Sequence, residues 1–434
     1  MDTRSGTARA VGEDGAPELN IRLTGQRVDG WFVARYTAAL IGVWTALVTP
    51  SSVTLAIRVG QLDPHGKTGS LALVASVGSV AAVLANPVFG ALSDRSVSRF
   101  GQRRTYILGG FVVGSAAIVM IGFAPSVAMV ALWWTVAQLT FNAAIAALVA
   151  VLPERVPTRL RGRVSGFMGM APQVGVVGGT FLIQFIGTGG VWMFLVPVVI
   201  GLALVLPFTL TLREAPKTRE QVGRVNGRVL LGSLWINPVR HREFGLVWLG
   251  RFFAWLSLYL LTTYKTYFLI DRLGYTTSNV AGILFDAMLL LAACLAVSSI
   301  LGGWVSDRIG RRKPFVIAAS LLFCAGMLTV AFADGLGQFL LGIAVAGLAQ
   351  GLYMGVDYAL VAEVLPDQKS EAAKGMGVFN LSSTLPQTLA PIVAPGLLAV
   401  AATDGRGNYT ALYLFAAVLA VVAAVAIQLV RGVK

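Results

Sequence analysis

Apolar runs of about 20 residues, broken by short polar stretches, recur along the whole chain. A helix rising about 1.5 Å per residue needs roughly 20 such residues to cross a bilayer core. Twelve segments meet that need: 34–57, 70–93, 105–123, 126–150, 162–187 and 190–212, then 244–270, 276–305, 314–333, 335–361, 375–400 and 408–430. The pattern predicts an all-α integral membrane protein with twelve transmembrane helices. One long connection, 213–243, is rich in Arg and separates six spans from six. The organisation expected is a tail (1–33), a six-helix bundle (34–212), a linker (213–243), a second bundle (244–430) and a short tail (431–434). In the linker, Leu230, Leu231, Leu234 and Trp235 stand beside Arg residues. That stretch could lie as an amphipathic helix on the membrane surface or serve as a plain tether.

Composition agrees with the pattern. Of 434 residues 56% are hydrophobic and only 12% are charged, at mean hydropathy +0.75. A soluble chain carries about 25% charged residues. The first 30 residues are polar and of mixed charge, unlike a cleavable signal peptide. The net charge of +14 and pI of about 10.2 raise nucleic acid as a partner, but the placement of the charges argues against it. With the N-terminus inside, the outside loops hold only Arg58, Lys67, Arg272 and Arg406, and Arg251 and Lys265 lie within the seventh span. The other 28 of the 34 cations are then on the inside. This asymmetry predicts a multi-pass cell-membrane protein with both termini cytoplasmic, its basic loops facing anionic lipid. Cys294 and Cys324 sit in apolar runs, so neither a disulfide framework nor a metal site is expected. No nucleophile–base pair and no G-x-x-x-x-G-K-[ST] loop is present, which argues against an enzyme, a cofactor and ATP drive.

The two halves share landmarks. Gly90, Ser93, Asp94 and Arg95 recur as Gly303, Ser306, Asp307 and Arg308, 213 positions later. Leu152-Pro153 and Leu365-Pro366 keep that offset, as do Arg161-Gly162 and Lys374-Gly375; Pro172-Gln173 recurs as Pro386-Gln387. Two pseudo-symmetric six-helix bundles are therefore expected, as in transporters built from parallel repeats. The segments GALSDRSVSRFGQRR (90–104) and GGWVSDRIGRRK (302–313) resemble the G-x-x-x-D-R-x-G-R-R signature of the major facilitator superfamily, one copy per half. The first copy has four extra residues between its Arg and its Gly. That form, with LPQTLAPIVAP (385–395), is similar to sucrose/proton symporter-like and glycoside–pentoside–hexuronide members.

The signature residues Gly90, Asp94, Arg95, Arg103 and Arg104, with Gly303, Asp307, Arg308, Arg311 and Arg312, are expected to act as a conformational latch. Asp94 and Asp307 end their helices and can receive hydrogen bonds from the starts of helices eleven and five, where the dipole favours negative charge. The alternative is topology signalling by the arginines alone.

Charge inside the hydrocarbon is costly and marks function. Four such residues occur, Arg251 and Lys265 on helix seven, Asp286 on helix eight and Asp357 on helix ten. By depth they form two possible pairs, Arg251 with Asp357 and Lys265 with Asp286. Either carboxylate could carry a proton; a static ion pair, or a snorkelling Lys265, is the bland alternative. No acidic residue lies deep in helices one to six, where melibiose-carrier-like members hold sodium, so protons are the expected coupling ion.

Polar residues at helical spacing suggest a cavity wall. Arg251, Trp255 and Tyr259 run i, i+4, i+8; Gln350, Tyr353 and Asp357 run i, i+3, i+7. Helix four adds Gln138 and Asn142, helix five Gln173, Thr180 and Gln184, and helix eleven Asn380, Thr384 and Gln387. Amides suit sugar hydroxyls and rings suit a sugar's apolar face; interhelical hydrogen bonding would use the same residues. Helix five reads GMAPQVGVVGG (169–179), a partial match to the G-P-x-x-G-G pattern of drug/proton antiporters with Ala171 in place of a Gly. The reading that results is a monomeric, proton-coupled secondary transporter of a sugar or glycoside. Its rivals are proton-driven efflux of drugs or metabolites, and a non-transporting sensor.

Overall fold

The computed structural model describes residues 28–94, 96, 98, 100–214, 241–364, 372–400 and 407–431. These form twelve long helices: α1 (Gly30–Leu62), α2 (Lys67–Asp94), α3 (Gln102–Phe123), α4 (Val127–Arg155), α5 (Thr158–Ile186), α6 (Trp192–Thr211), α7 (Arg242–Arg272), α8 (Thr277–Ile309), α9 (Lys313–Ala331), α10 (Leu336–Val364), α11 (Ala372–Ala399) and α12 (Tyr409–Gln428). Eleven are long and apolar enough to cross a membrane. The remaining one, α11, is diluted by Ser382, Ser383, Thr384, Gln387 and three prolines. Several helices overrun the expected spans. The 33-residue Thr277–Ile309 segment of α8 reaches about 50 Å, well past a 30 Å core. The amphipathic stretch of the linker lies outside the described residues.

Local chemistry sets the helix ends. Asp29 caps α1 by accepting from the Phe32 amide at 2.8 Å, and Asn408 caps α12 through the Ala411 amide at 3.0 Å. Gly310, at φ 67°, closes α8 in a left-handed conformation and lets the chain turn at once into α9. Between α1 and α2, the Ser70 hydroxyl and the Gly66 amide hold the Asp63 carboxyl below its usual range. The contribution of that turn is intact at neutral pH and is lost as acidification passes through the depressed value.

Each bundle repeats one packing scheme. In the first, α1 lies against α5 and α6, α2 against α4, and α3 against α4 and α6; in the second, α7 lies against α11 and α12, α8 against α10, and α9 against α10 and α12. Small residues let backbones meet, as membrane helices require without a hydrophobic force between them. A Cβ on Gly42 of α1 would stand 2.6 Å from the Gly201 carbonyl of α6. On α10, Gly347, Gly351 and Gly355 form an i, i+4, i+8 stripe against Leu291, Leu295 and Ser299 of α8.

The α2–α3 and α8–α9 turns lie at the same end of the molecule, here called the basic end. The bundles meet through α2 with α11 and α5 with α8. Among the described residues, hydrogen bonds join them from mid-depth to the far end. Ser79 donates to the Gln387 carbonyl (3.4 Å), Thr266 to Ser52 (3.3 Å), Tyr267 to Ala56 (2.8 Å) and Thr188 to Thr277 (3.2 Å). Lys67 pairs with Asp271 at 2.5 Å and lies 5.0 Å above the Tyr267 ring, while the Tyr409 hydroxyl donates to the other Asp271 oxygen at 2.7 Å. α1 and α7 each carry a π-helical turn in this half, at Pro50–Thr54 and Phe268–Arg272. Such turns free backbone carbonyls, and that of Ser52 accepts the bond from Thr266.

Candidate functional site

A cavity of about 210 Å³ lies between the bundles, with walls from both halves. Ser51, Ser79, Gln138 and Gln173 line it from the first bundle, and Tyr259, Lys265, Gln350 and Gln387 from the second. On α1 the cavity-facing Val48, Ser51 and Leu55 continue at helical spacing into Ala34, Thr37 and Ile41. Those three residues border a groove toward the basic end, shared with Val164 and Phe167 of α5. Among the described residues, the far end carries bonds between bundles.

Six of the expected residues therefore meet in one cavity: Gln138, Gln173, Tyr259, Lys265, Gln350 and Gln387. Asn142 stands behind, donating to the carbonyl (2.8 Å) and side-chain oxygen (3.2 Å) of Gln138, and so turns that amide toward the cavity. Gln184 is exposed beside Gly282 at the α5–α8 seam and does not line the cavity. The Thr180 hydroxyl is taken up by its own helix, donating to Val176 at 2.9 Å. The Asn380 side chain lies outside the described residues. Sequence spacing missed Ser51, Ser52, Ser79, Trp134, Thr262 and Thr263, which also face the cavity. The available signal was faint: Trp134 precedes Gln138 by one helical turn, and Ser51-Ser52 interrupts an apolar helix directly after Pro50.

Of the two depth-matched pairs, only Arg251 with Asp357 forms. Their ion pair is buried, with the residues 3% and 2% exposed. The guanidinium lies 4.1 Å from the Phe379 ring centroid and 5.8 Å from that of Trp255, and the latter packs on Tyr259. The second oxygen of Asp357, the Trp255 indole nitrogen and the Tyr353 hydroxyl are buried without hydrogen-bond partners among the described residues. A void of about 10 Å³, lined by Trp255, Gln350 and Tyr353, lies there, about the space of one water. Gln350 borders both this void and the main cavity.

Lys265 and Asp286 do not meet. Lys265 is 2% exposed and donates to the Thr262 carbonyl at 2.9 Å, so it does not snorkel. Asp286 lies on the outward stripe of α8 with Leu289, Val297, Ile300 and Trp304, while Met288 and Leu291 face the cavity. Depth matched the two residues, but the angular position of Asp286 turns it away from the cavity.

The signature residues also divide. The side chains of Asp94 and Asp307, and all of Arg95, lie outside the described residues. Arg103 is buried, donates to Ser93 Oγ at 2.7 Å and forms an ion pair with Glu154 on α4 of its own bundle. Glu214 accepts from the backbone amides of Arg103 (2.8 Å) and Arg104 (3.1 Å), capping the start of α3. In the second copy Ser306 donates to the Arg311 carbonyl at 3.2 Å and Arg308 lies 5.4 Å from the Trp304 ring. Arg311 is exposed and Arg312 half-buried. Gly303 packs 3.4 Å from the Gly355 carbonyl, measured to the position of a Cβ, whereas Gly90 faces open space.

Comparison with known proteins agrees with this architecture. The chain is 36% identical over 97 residues to the "Putative metabolite transport protein YwtG" of Bacillus subtilis (strain 168), a match that spans 21% of each chain. The solved structure of the nucleoside transporter NupG superposes with a TM-score of 0.72 at 16% identity, over 93% of this chain and 100% of that one. A bacterial homolog of the human lysosomal transporter Spinster, in an inward-facing and occupied conformation, superposes with a TM-score of 0.64 at 17% identity, over 91% and 96%. At these identities the superpositions establish the fold. The sequence profile of the Major Facilitator Superfamily matches residues 52–299 and 281–434, so the chain belongs to that family of membrane transporters.

Proposed function

We propose that this protein is a proton-coupled secondary transporter that works by alternating access and imports a small hydroxylated solute of the sugar or glycoside class. The observation that carries the reading is the Arg251–Asp357 pair, buried one residue away from an amide-lined cavity that Gln350 shares. A buried carboxylate paired with one cation can take up a proton in one state and return to its ion pair in the other. The basic end is the cytoplasmic side on this reading, because cations accumulate there. Among the described residues, the bonds between bundles then lie toward the outside.

Size supports a small solute. Ligand pockets commonly measure about 300–1,000 Å³, whereas this cavity holds about 210 Å³. Two of the glycines that suggested an antiporter, Gly175 and Gly179, have a packing role. A Cβ on Gly175 would stand 2.9 Å from the Thr45 backbone nitrogen, and Gly179 meets Thr49. These two let α5 close on α1.

The test is purified protein in liposomes carrying an internal pH dye, challenged with monosaccharides, disaccharides and cationic drugs. Internal acidification on addition of a sugar-class solute is expected. Alkalinisation with a drug overturns the import reading, and counterflow of a solute without any pH change overturns proton coupling.

A further inference from the structure

Lys265 is the one charged side chain among the described residues lining the central cavity. Among the described residues, no Asp or Glu stands with it there and no ion pair holds it. Its ammonium has three donors, of which one is used, on the Thr262 carbonyl at 2.9 Å. A buried cation without a counter-charge is costly in a membrane interior. The other buried cation at depth, Arg251, has its counter-charge in Asp357. The difference is that Lys265 faces a space where a solute can supply the missing charge.

We infer that Lys265 is the binding residue for an anionic group on the transported solute, and that the solute is a hydroxylated carboxylate such as a sugar acid rather than a neutral sugar. A carboxylate fits better than a phosphate ester. One lysine balances a single negative charge, whereas a phosphate monoester carries about −1.5 to −2 and would leave part of its charge uncompensated here. The remaining wall, with Ser51, Ser79, Gln138, Gln173 and Gln387, offers neutral donors and acceptors for hydroxyl groups. Trp134 and Tyr259 supply flat apolar surface beside them. This inference rests on the transport reading and narrows its substrate.

Binding can be measured on the purified full-length protein in detergent, by titrating D-gluconate and D-glucuronate against D-glucose and the methyl ester of glucuronate. The acids are expected to bind at least tenfold more tightly than their neutral counterparts. Lys265→Gln should abolish that preference and Lys265→Arg should retain it; the wild-type comparison stands even where Lys265→Gln fails to fold. Equal or tighter binding of the neutral members overturns the inference and leaves sugar transport intact. A Lys265→Gln protein that keeps the acid preference but loses proton uptake in liposomes also overturns it, making Lys265 a proton carrier. Binding of neither class overturns the inference together with the sugar-class reading.

Discussion

On the proposed function, Asp357 is the residue on which coupling turns. Asp357→Asn should abolish solute-induced proton uptake in the liposome assay. It also leaves the Arg251 charge buried, at a cost of about 3–5 kcal/mol, so thermal unfolding should come earlier. Exchanging both members, Arg251→Gln with Asp357→Asn, should recover most of that stability without restoring proton uptake. That separates the coupling role from the structural one. Asp286→Asn should change uptake by less than twofold, because the carboxylate faces away from the cavity. The fourfold list of intramembrane charges was legible from sequence because a charged residue in an apolar run is conspicuous. The pairing was half legible. Rise along a helix is readable at 1.5 Å per residue, and it matched Arg251 with Asp357 correctly. An error of one residue, however, rotates a side chain by about 100°, and this is the information that Asp286 lacked.

At the scale of elements, the helices and their twofold repetition followed from hydropathy and from the doubled signature, but the seams between them did not. Packing exchanges large for small across the pseudo-symmetry. Gly78 of α2 receives Trp134 of α4, while at the equivalent place Leu291 of α8 meets Gly347 of α10. The α4 positions Trp134, Gln138 and Asn142 correspond to Gly347, Gly351 and Gly355 on α10 at the repeat offset of 213. One helix thus presents ring and amides where its counterpart presents only backbone. A search for identical landmarks cannot find such compensating changes. The close seams are directly testable: Gly42→Val would force side-chain atoms into the Gly201 carbonyl. An overpacking loss of about 1–3 kcal/mol should appear as a lower Tm, with no comparable loss for Gly169→Val, where a Cβ meets nothing within 4 Å.

For the whole molecule, the closure between bundles rests on the far-end network around Lys67, Asp271 and Tyr409. Lys67→Gln should loosen it. Spin labels at Gly189 and Ser278, on opposite bundles near the Thr188–Thr277 bond, should then show a broader distance distribution extending to longer separations. An unchanged distribution would assign closure to the surrounding backbone bonds instead. Sequence could not show that these far-end contacts form, since conformations of one chain use the same residues and differ only in which contacts are made.

The unpaired Lys265 bears on the electrical driving force. Lysine stays fixed in α7 while the solute passes, so only the charge of the travellers is moved across the membrane. A neutral sugar entering with one proton carries a positive charge inward, and each 100 mV of membrane potential then adds about 2.3 kcal/mol to its accumulation. A carboxylate entering with one proton carries none. Potassium and valinomycin, imposing an inside-negative potential at equal pH on both sides, should therefore leave uptake of the acid unchanged. On that arithmetic the transporter would respond to acidity outside the cell and be indifferent to voltage, keeping its cargo through a collapse of membrane potential and losing it with the pH gradient.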